Sequence, residues 1–446
     1  MKKTYILYSL VSLLVLSGTV IVTDHYKACV ADGETVCFDQ ETNRFIVEEN
    51  AELTVYVKNK EQKEYLLMKL TRDIVDYNLQ INVEVYPEVT AWDAVHTLDG
   101  DIFYIQQLEA AMIHDQLMEI DERIVNLRSS LGINHLTKMI NYEKAVFLPT
   151  FYEGLLFAYN ETLLESLGFD VNDLDEKNRL NSLNDWQEIM DLLEKWSQER
   201  PDAKITSIFP FTVSEPWQLY AFLTAGKWQM FDSMDVSDPG FLSTDFYHSL
   251  IFMKDMFDKE WYFNNLDEKT WNYEQALINK ESLFSIATEW MDWEDIAQYT
   301  NQEFSYSAFP SNGTTQLTPL VRVDGLVIKE NDYPSLSHRI VSILQGLENM
   351  QILIDTYDAN YVVAHDEFDK LNLSEKQAEK SLAYSYSVSE PLLALEENPS
   401  LLGWDFYLQG HVFEVLMQLF NDEITVEEAQ LDLVDSYELW YNQHNK

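Results

Sequence analysis

The residues best suited to chemistry in this chain are aromatic side chains that stand beside carboxylates. Glu215 is followed by Pro216 and Trp217, and Glu289 is followed directly by Trp290. A flat ring can stack on the apolar C–H face of a sugar, while carboxylates and amides can bind the hydroxyl groups at its edge. These pairings indicate non-covalent recognition of a carbohydrate. The alternative for each ring is a place in the hydrophobic core.

Similar pairings recur elsewhere, at Tyr104 with Gln106 and Gln107, at Tyr152 with Glu153, and near the end at Trp404, Phe406 and Tyr407. Ordinary structural roles compete with binding at each position. We place Trp293 in the core, and Glu153 has the alternative of an ion pair with a lysine.

No grouping of catalytic residues stands out in the sequence. The nine histidines contain no HExxH pair, and the chain lacks GxSxG, GxxxxGK[ST] and GxGxxG. The 76 acidic residues offer so many carboxylate pairs that none can be singled out as a glycosidase pair. Acidic turns near Asp170 and at 232–238 lack the spacing and glycine of an EF-hand. The sequence therefore predicts a binding protein and not an enzyme, with no metal and no cofactor.

Length and charge limit the class of protein. A chain of 446 residues is too long for one core, so two lobes are expected. Hydrophobic residues at 46% and aromatic residues at 13% can fill such cores despite a net charge of −46. So acidic a chain repels phosphate backbones, and nucleic acid is not an expected partner. The charge itself indicates a solvated surface and identifies no ligand.

The amino end predicts export. Lys2 and Lys3 precede a largely apolar run from Tyr5 to Val22, an order typical of a signal peptide. The run is also long enough to remain as a membrane anchor. Residues 1–25 are therefore predicted to be a signal peptide or anchor, and the body to lie at the extracellular face of the membrane or to be secreted.

The two cysteines, Cys29 and Cys37, flank a segment that contains the turn dipeptide Asp32-Gly33. In an oxidising compartment a local disulfide is favoured over two free thiols. Residues 26–50 are therefore predicted to be a disulfide-closed spacer. The alternative for Cys29 is attachment of a lipid, although the preceding residues Tyr26-Lys27-Ala28 are a poor match to a lipid-attachment signal.

The body alternates strands with helices. Leu53–Val57, Ile81–Val85 and Asp101–Ile105 read as strands, with amphipathic stretches between them. This order predicts an α/β fold with a mostly parallel sheet, whose ligand crevice lies beyond the carboxyl ends of the strands. Later helices are predicted to begin at Asn184 and, through the capping box that starts at Thr425, near the carboxyl terminus.

Several phrases of the chain resemble one protein family. They are EGLLFAYNETLLESLGF from Glu153, then LNDWQEIMDLLEKW, then SEPW, and finally FNDEITVEEAQLDLVDSYELW. In this order they resemble the sugar-binding group of extracellular solute-binding proteins, the maltose/maltodextrin-binding branch that serves ABC importers. The resemblance implies a monomer that captures an oligosaccharide between two lobes and delivers it to an ABC permease. Both lobes would be mostly parallel sheets flanked by helices.

The resemblance also implies roles for individual residues. Glu153 would reach into the ligand cleft, Glu215 would bind sugar hydroxyl groups, and Trp217 and Trp290 would stack on the sugar. The predicted ligand-binding residues are Tyr104, Gln107, Tyr152, Glu153, Glu215, Trp217, Trp290, Trp404 and Tyr407. Lobe 1 would comprise residues 50–152 and 325–364, and lobe 2 residues 153–324 and 365–446. Asp324 and Gly325 would lie at the hinge between them.

Two other functions remain open at this point. A membrane-anchored sensory or accessory protein could use the same two-lobed binding fold for signalling, which the long apolar run allows. A carbohydrate-active hydrolase is the second alternative, and the lack of a catalytic grouping argues against it.

Overall fold

The computed structural model describes most of the chain that follows residue 28. The described residues are 29–30, 33–73, 78–86, 100–106, 109–110, 113–125, 144–175, 178–199, 215–231, 237–258, 277–278, 282–287, 293–356, 362–363, 368–386, 390–391 and 405–444. The predicted signal or anchor segment, residues 1–25, lies outside them. Within the described part, no helix combines the length and the apolar character needed to cross a bilayer.

Strands and helices alternate along the described chain. The strands are β1 (Phe38–Asp39), β2 (Arg44–Phe45), β3 (Glu52–Val57), β4 (Gln80–Val85), β5 (Ile102–Gln106), β6 (Leu148–Gly154), β7 (Leu156–Asn160), β8 (Phe284–Ala287), β9 (Phe304–Ser307), β10 (Ser311–Asn312), β11 (Thr315–Gln316), β12 (Leu320–Ile328), β13 (Val362–Val363) and β14 (Glu390–Pro391). The helices are α1 (Lys60–Asp73), α2 (Glu122–Val125), α3 (Glu161–Ser166), α4 (Trp186–Glu199), α5 (Pro216–Leu223), α6 (Thr244–Asp258), α7 (Trp293–Thr300), α8 (Pro334–Leu344), α9 (Leu347–Thr356), α10 (Glu375–Tyr386), α11 (His411–Phe420) and α12 (Val426–His444). The fold is therefore α/β.

The chain divides into two compact units. Unit 1 comprises residues 1–150, 324–357 and 365–371, and unit 2 comprises residues 151–323, 358–364 and 372–446. The long strands β6 and β12 each contain one of these bounds, at 150/151 and at 323/324.

Unit 1 contains the parallel strands that the sequence predicts. β3 pairs in parallel with β4 and β5, and β5 pairs antiparallel with residues 324–328 of β12. Val55 and Ile102 are fully buried in this sheet, in one hydrophobic core with Leu336 and Ile340 of α8. β5 is buried along most of its length and reads as a nearly continuous apolar run, whereas β4 buries only Val83 and alternates polar with apolar residues.

Unit 2 departs from the predicted mostly parallel sheet. Its three-stranded sheet has the order β8-β7-β9, and both pairings are antiparallel. Alternation of apolar residues marks where a strand lies but carries no information about its direction. Long connections join β7 to both of its partners, and such connections allow either orientation.

The aromatic core of unit 2 lies among its helices. Trp228 packs against Phe246 of α6 with ring centroids 4.8 Å apart. Tyr437 of α12 packs edge-on against Phe241 and Phe406, at 6.3 and 5.1 Å. Offset and edge-to-face contacts of this kind add to the burial of large rings.

The predicted helix starts have two outcomes. The Thr425 capping box is confirmed, since the Glu428 N–H donates to Thr425 Oγ1 (3.2 Å) and the Thr425 N–H donates to Glu428 Oε2 (2.8 Å). Asn184 is wrong as a cap, because Asp185 accepts the N–H of Gln187 (2.9 Å) in that place. Asp is as good a cap as Asn, so two adjacent cap residues leave the start ambiguous by one position.

The segment predicted as a spacer is part of unit 1. β1 and β2 form an antiparallel hairpin, and Phe45 and Val47 are buried in the core of the unit. The Phe45 ring lies 5.6 Å from the His338 ring of α8, and Arg123 stacks over Phe38 at 4.5 Å. The few apolar residues in this polar segment follow no clear repeat, so their packing could not be predicted from the sequence.

Glu48 joins this segment to α8. The N–H groups of Ser335 and Leu336, at the start of α8, donate to Glu48 Oε1 and Oε2, both at 2.8 Å. The buried carboxylate thus caps the helix, and its negative charge interacts favourably with the positive end of the helix dipole. Tyr333, the residue before α8, makes no side-chain capping bond of its own.

Removing this carboxylate should destabilise unit 1. We expect Glu48→Ala to lower the free energy of unfolding by about 2 kcal/mol, because two charge-assisted bonds to main-chain N–H groups are lost. Denaturant unfolding measures the change. Glu49→Ala is the matched control, since Glu49 is exposed. Equal stabilities of the two variants would contradict the capping role.

Candidate functional site

Three parallel strands of unit 1 end at polar side chains. Lys58 follows β3 directly, Tyr86 follows β4, and Gln106 is the last residue of β5. Asp324 of β12 is paired with Gln106, so it stands at the same edge of the sheet. This is the edge at which α/β sheets bind ligands, and the sequence predicts the site in the loops that follow Val57 and Tyr104.

We call this group the carboxyl-edge cluster, comprising Lys58, Gln62, Tyr86, Tyr104, Glu109 and Asp324. Lys58 Nζ forms an ion pair with Asp324 Oδ2 and lies 5.8 Å from the centre of the Tyr104 ring. Gln62 Nε2 donates to the Tyr104 hydroxyl (2.6 Å). With the bond from the Lys58 N–H to Gln62 Oε1, these contacts link four of the six residues, Lys58, Gln62, Tyr104 and Asp324.

The start of α1 explains why Gln62 reaches this network. Asn59 Oδ1 accepts the N–H of Gln62 (2.8 Å), which caps the helix immediately after β3. Gln62 Oε1 in turn accepts the N–H of Lys58 (2.8 Å). The first bond fixes the helix turn that carries Gln62, and the second holds its side-chain amide in the absence of any ligand.

Tyr86 is the least satisfied member of the cluster. Its hydroxyl oxygen is buried and has no hydrogen-bond partner among the residues that the structure describes. Burial raises the pKa of Tyr86 well above its usual range, and the carboxylates of Glu109 and Asp324 raise the pKa further. The phenol therefore stays protonated and can donate a hydrogen bond.

The cluster offers both donors and acceptors of hydrogen bonds. Lys58 and Tyr86 can donate hydrogen bonds, and Glu109 and Asp324 can accept them. Glu109 already accepts the N–H of Gln106 through Oε2 (2.9 Å), which fixes the carboxylate at the end of β5. The cluster has two carboxylates and one cation, so it favours neutral or positively charged groups over anions.

Tyr104 lies at the predicted place but makes different contacts. Only 2% of its surface is exposed, and it belongs to the hydrophobic core of unit 1. Its ring therefore packs against protein, and its hydroxyl orients Gln62. A stacking role would need an open ring face, which burial at this level does not provide.

In unit 2 the structure brings together three predicted residues at the start of α5. Glu215 immediately precedes the helix, and Trp217 in its first turn is half-buried. The Tyr407 hydroxyl donates to the carbonyl oxygen of Pro216 (2.6 Å), and its ring packs edge-on against Tyr220 at 5.6 Å. Tyr407 is 1% exposed, so it supports the turn at Glu215 from the protein interior.

The pKa values of Glu215 and Tyr407 are both raised. Although Glu215 is exposed as a residue, partial desolvation of its carboxyl raises the pKa of that group. Burial also raises the pKa of the Tyr407 phenol, and the nearby Glu215 carboxylate raises it further. Tyr407 therefore remains a hydrogen-bond donor to Pro216 at every ordinary pH.

Five predicted ligand residues lie wholly or partly outside the described part of the chain. Gln107, Trp290 and Trp404 lie outside the described residues. The main chain of Tyr152 and Glu153 belongs to β6, while their side chains are outside the described set. Trp293, which we assigned to a core, is buried against Phe304 and Tyr306, with ring centroids 5.5 and 5.8 Å away.

The predicted hinge pair lies inside β12. Asp324 is held by Lys58, and Gly325 is paired with Ile105 of β5. A Cβ atom on Gly325 would lie 2.4 Å from the Leu148 carbonyl oxygen and 2.5 Å from Phe147 Cζ. Glycine is thus required there by the close approach of a neighbouring chain segment.

Four members of the cluster were not singled out from the sequence, namely Lys58, Gln62, Tyr86 and Glu109. Lys58 and Tyr86 could have been found from their position in the sequence, because each follows the last residue of a predicted strand. Gln62 and Glu109 carry no such signal, because each becomes relevant only through the partner that folding brings to it.

Unit 2 holds a second polar group at β9, one of the two edge strands of its three-stranded sheet. The group comprises Glu161, Ser305, Lys376 and Glu379. Ser305 Oγ donates to the Glu161 carboxylate, and Lys376 Nζ donates to Ser305 Oγ (3.1 Å) and to Glu379 Oε1 (2.9 Å). Glu379 Oε2 accepts the N–H of Tyr306 (3.3 Å). This contact satisfies a main-chain N–H on the edge strand β9, which is a structural role for Glu379.

The ionisation of Glu379 should depend on folding. Burial raises the pKa of its carboxyl above the ordinary value of 4.5, and Lys376 lowers it in part. The folded protein then binds this proton more tightly than the unfolded chain does. The stabilising contribution is complete below pH 4.5 and is lost as the pH rises through the raised folded value.

We therefore expect the free energy of unfolding of the wild type to fall, relative to Glu379→Gln, as the pH rises from 4.5. Denaturant unfolding across a pH series measures the difference. Glu375→Gln is the control, because Glu375 is an exposed carboxylate on the same helix. Parallel profiles for the wild type and Glu379→Gln would contradict the effect of burial.

The protein has an α/β fold with a cluster of polar side chains at one edge of its unit 1 sheet, and no metal-binding group of three or more His, Cys, Asp or Glu side chains occurs in the described part. No protein-family model matches the chain, and a search of curated proteins gives no match.

Proposed function

We propose that this chain is an extracellular solute-binding protein that captures a neutral, hydroxyl-rich solute, an oligosaccharide, and does no chemistry on it. The observation that carries the proposal is the carboxyl-edge cluster, in which three parallel strands end at oriented donors and acceptors. Hydroxyl groups both donate and accept hydrogen bonds, so a sugar can use both kinds of atom.

The charges of the cluster support a neutral ligand. Glu109 and Asp324 outnumber Lys58, the cation of the cluster, and the protein as a whole carries −46. An anionic solute would meet unfavourable potential at this edge and around the whole surface. The exposed turn at Glu215 and Trp217 supplies a carboxylate beside a half-buried ring, which suits the edge and face of a sugar.

We also propose two lobes of the binding-protein kind. Asp324 and Gly325 would lie near one of the points at which the chain passes from one lobe to the other. Ligand bound between the lobes would favour a closed state through its differential affinity, and an ABC permease in the membrane would recognise that state. The resemblance of Glu153–Trp196 to the family and the division of the chain at 150/151 and 323/324 support this part. The protein would act as a monomer at the extracellular face of the membrane.

Tryptophan fluorescence of the exported protein, titrated with a panel of solutes, tests the proposal. We expect a saturable change with at least one neutral oligosaccharide, a weaker response to the corresponding sugar acid, and lower affinity in Trp217→Ala. Peptides belong in the panel, since the fold alone does not select a ligand class. Saturation only with peptides or only with anions would reject a carbohydrate ligand.

A further inference from the structure

Cys37 is fixed within unit 1. Its side chain is 0% exposed, and its N–H donates to Ser335 Oγ at the start of α8 (2.9 Å). Its carbonyl oxygen accepts the N–H of Ile46 (2.8 Å), which follows β2 directly. With Phe45 buried in the same core, residues 37–48 are an integral part of the unit.

Cys29 is tied to this fixed point. A disulfide joins it to Cys37, with Cα atoms 5.8 Å apart, and the N–H of Glu34 donates to the Cys29 carbonyl oxygen (3.3 Å). The bond forms when each thiol gives up one proton and one electron to a thiol–disulfide oxidant of an oxidising compartment. A lipid thioether would use the same Cys29 sulfur, so the two modifications exclude each other.

We infer that Cys29 is a structural disulfide partner and not a lipid-attachment site, and that the apolar run from Tyr5 to Val22 attaches the chain to the membrane. The inference does not depend on which solute the protein binds. It rests on the burial of Cys37, on the disulfide, and on the sequence of the amino end.

This attachment has a geometric consequence. Seven residues lead from Val22 to Cys29, and a fully extended chain of that length spans roughly 25 Å. Since unit 1 is fixed at the disulfide, its amino-terminal hairpin would be tethered close to the membrane surface. The negative charge of the protein would still keep its surface from adhering to anionic lipids.

Peptide mapping of protein from its native membrane tests the assignment directly. Trypsin cuts after Lys27 and Arg44, so one peptide, residues 28–44, contains both cysteines. Without reduction we expect this peptide free of lipid and lighter by two hydrogen atoms than its reduced form. A chain that begins with lipid-modified Cys29, or a Cys37 that is alkylated without reduction, would overturn the inference.

Matched cysteine variants separate the disulfide from the lipid. Cys29→Ser and Cys37→Ser break the same bond, but only Cys29→Ser removes a lipid-attachment residue. We expect both variants to stay in the membrane fraction and to lose similar thermal stability. Release of Cys29→Ser alone, or recovery of the wild type from the medium with an amino terminus after the apolar run, would overturn the proposal.

Discussion

Replacing Gly325 by alanine will lower the free energy of unfolding by about 3 kcal/mol or more, as overpacking against atoms that cannot move aside does. The new methyl group would lie 2.4 Å from the Leu148 carbonyl oxygen and 2.5 Å from Phe147 Cζ. Both neighbours are buried, and Gly325 itself is held in the ladder between β12 and β5. Relief would require the strands to separate, which costs their hydrogen bonds as well.

Gly313→Asn is the matched control for this variant. Gly313 has φ +58°, and Asn tolerates that conformation. Apart from Gly313 and its two chain neighbours, no described residue has an atom within 4 Å of the place that a Cβ atom would occupy. We expect a change of less than about 1 kcal/mol in denaturant unfolding. A Gly325→Ala protein of wild-type stability with altered ligand affinity would instead favour a bending role for Gly325.

Replacing Lys58 by methionine will weaken ligand binding by about 10- to 100-fold, the loss expected for a hydrogen bond to a charged group. The ammonium group of Lys58 organises the carboxyl-edge cluster through Asp324, and it is the cluster's cationic donor. Methionine keeps most of the apolar stem of lysine and removes the charge. Calorimetric titration with the ligand found by fluorescence measures the loss.

Lys60→Met has the same change in charge two residues away. Lys60 is 77% exposed in its side chain and pairs only weakly with Glu64, at 3.5 Å, so its replacement should leave affinity unchanged. Asp324→Asn should resemble Lys58→Met, because it breaks the same ion pair. Equal affinities of the Lys58 and Lys60 variants, with both proteins folded, would remove the cluster from the binding site.

Local features of the fold were predictable where a few consecutive residues decide the structure. The Thr425 box depends on four residues in a row and is confirmed, and strands β3, β4 and β5 lie within one residue of their predicted ranges. The helix start at Asn184 failed by one position because Asp185 is an equally good cap.

Features that depend on distant residues were not predictable. Lys58 meets Asp324 across 266 residues, and Glu48 meets Ser335 across 287. No local pattern reports such a contact, so the spacer assignment for residues 26–50 missed the packing of the amino-terminal hairpin. The antiparallel direction of β8 and β9 was missed for the same reason, because both pair with β7, which is distant in the sequence.

The candidate site contains both predictable and unpredictable features. The edge of the sheet followed from strand order, which is local information. The burial of Tyr104 and Tyr407 did not, because an aromatic residue beside a polar one reads the same in a core and at a surface. Their hydroxyl groups instead hold Gln62 and Pro216 in place.

The most direct test of the central claim is a calorimetric titration of the exported protein with neutral oligosaccharides, followed by chromatography of the recovered sugar. Capture without chemistry predicts saturable heat for at least one sugar, with one site per chain and every recovered molecule at its original length. Heat that never saturates for any sugar, or recovered sugar that has been shortened, would contradict it.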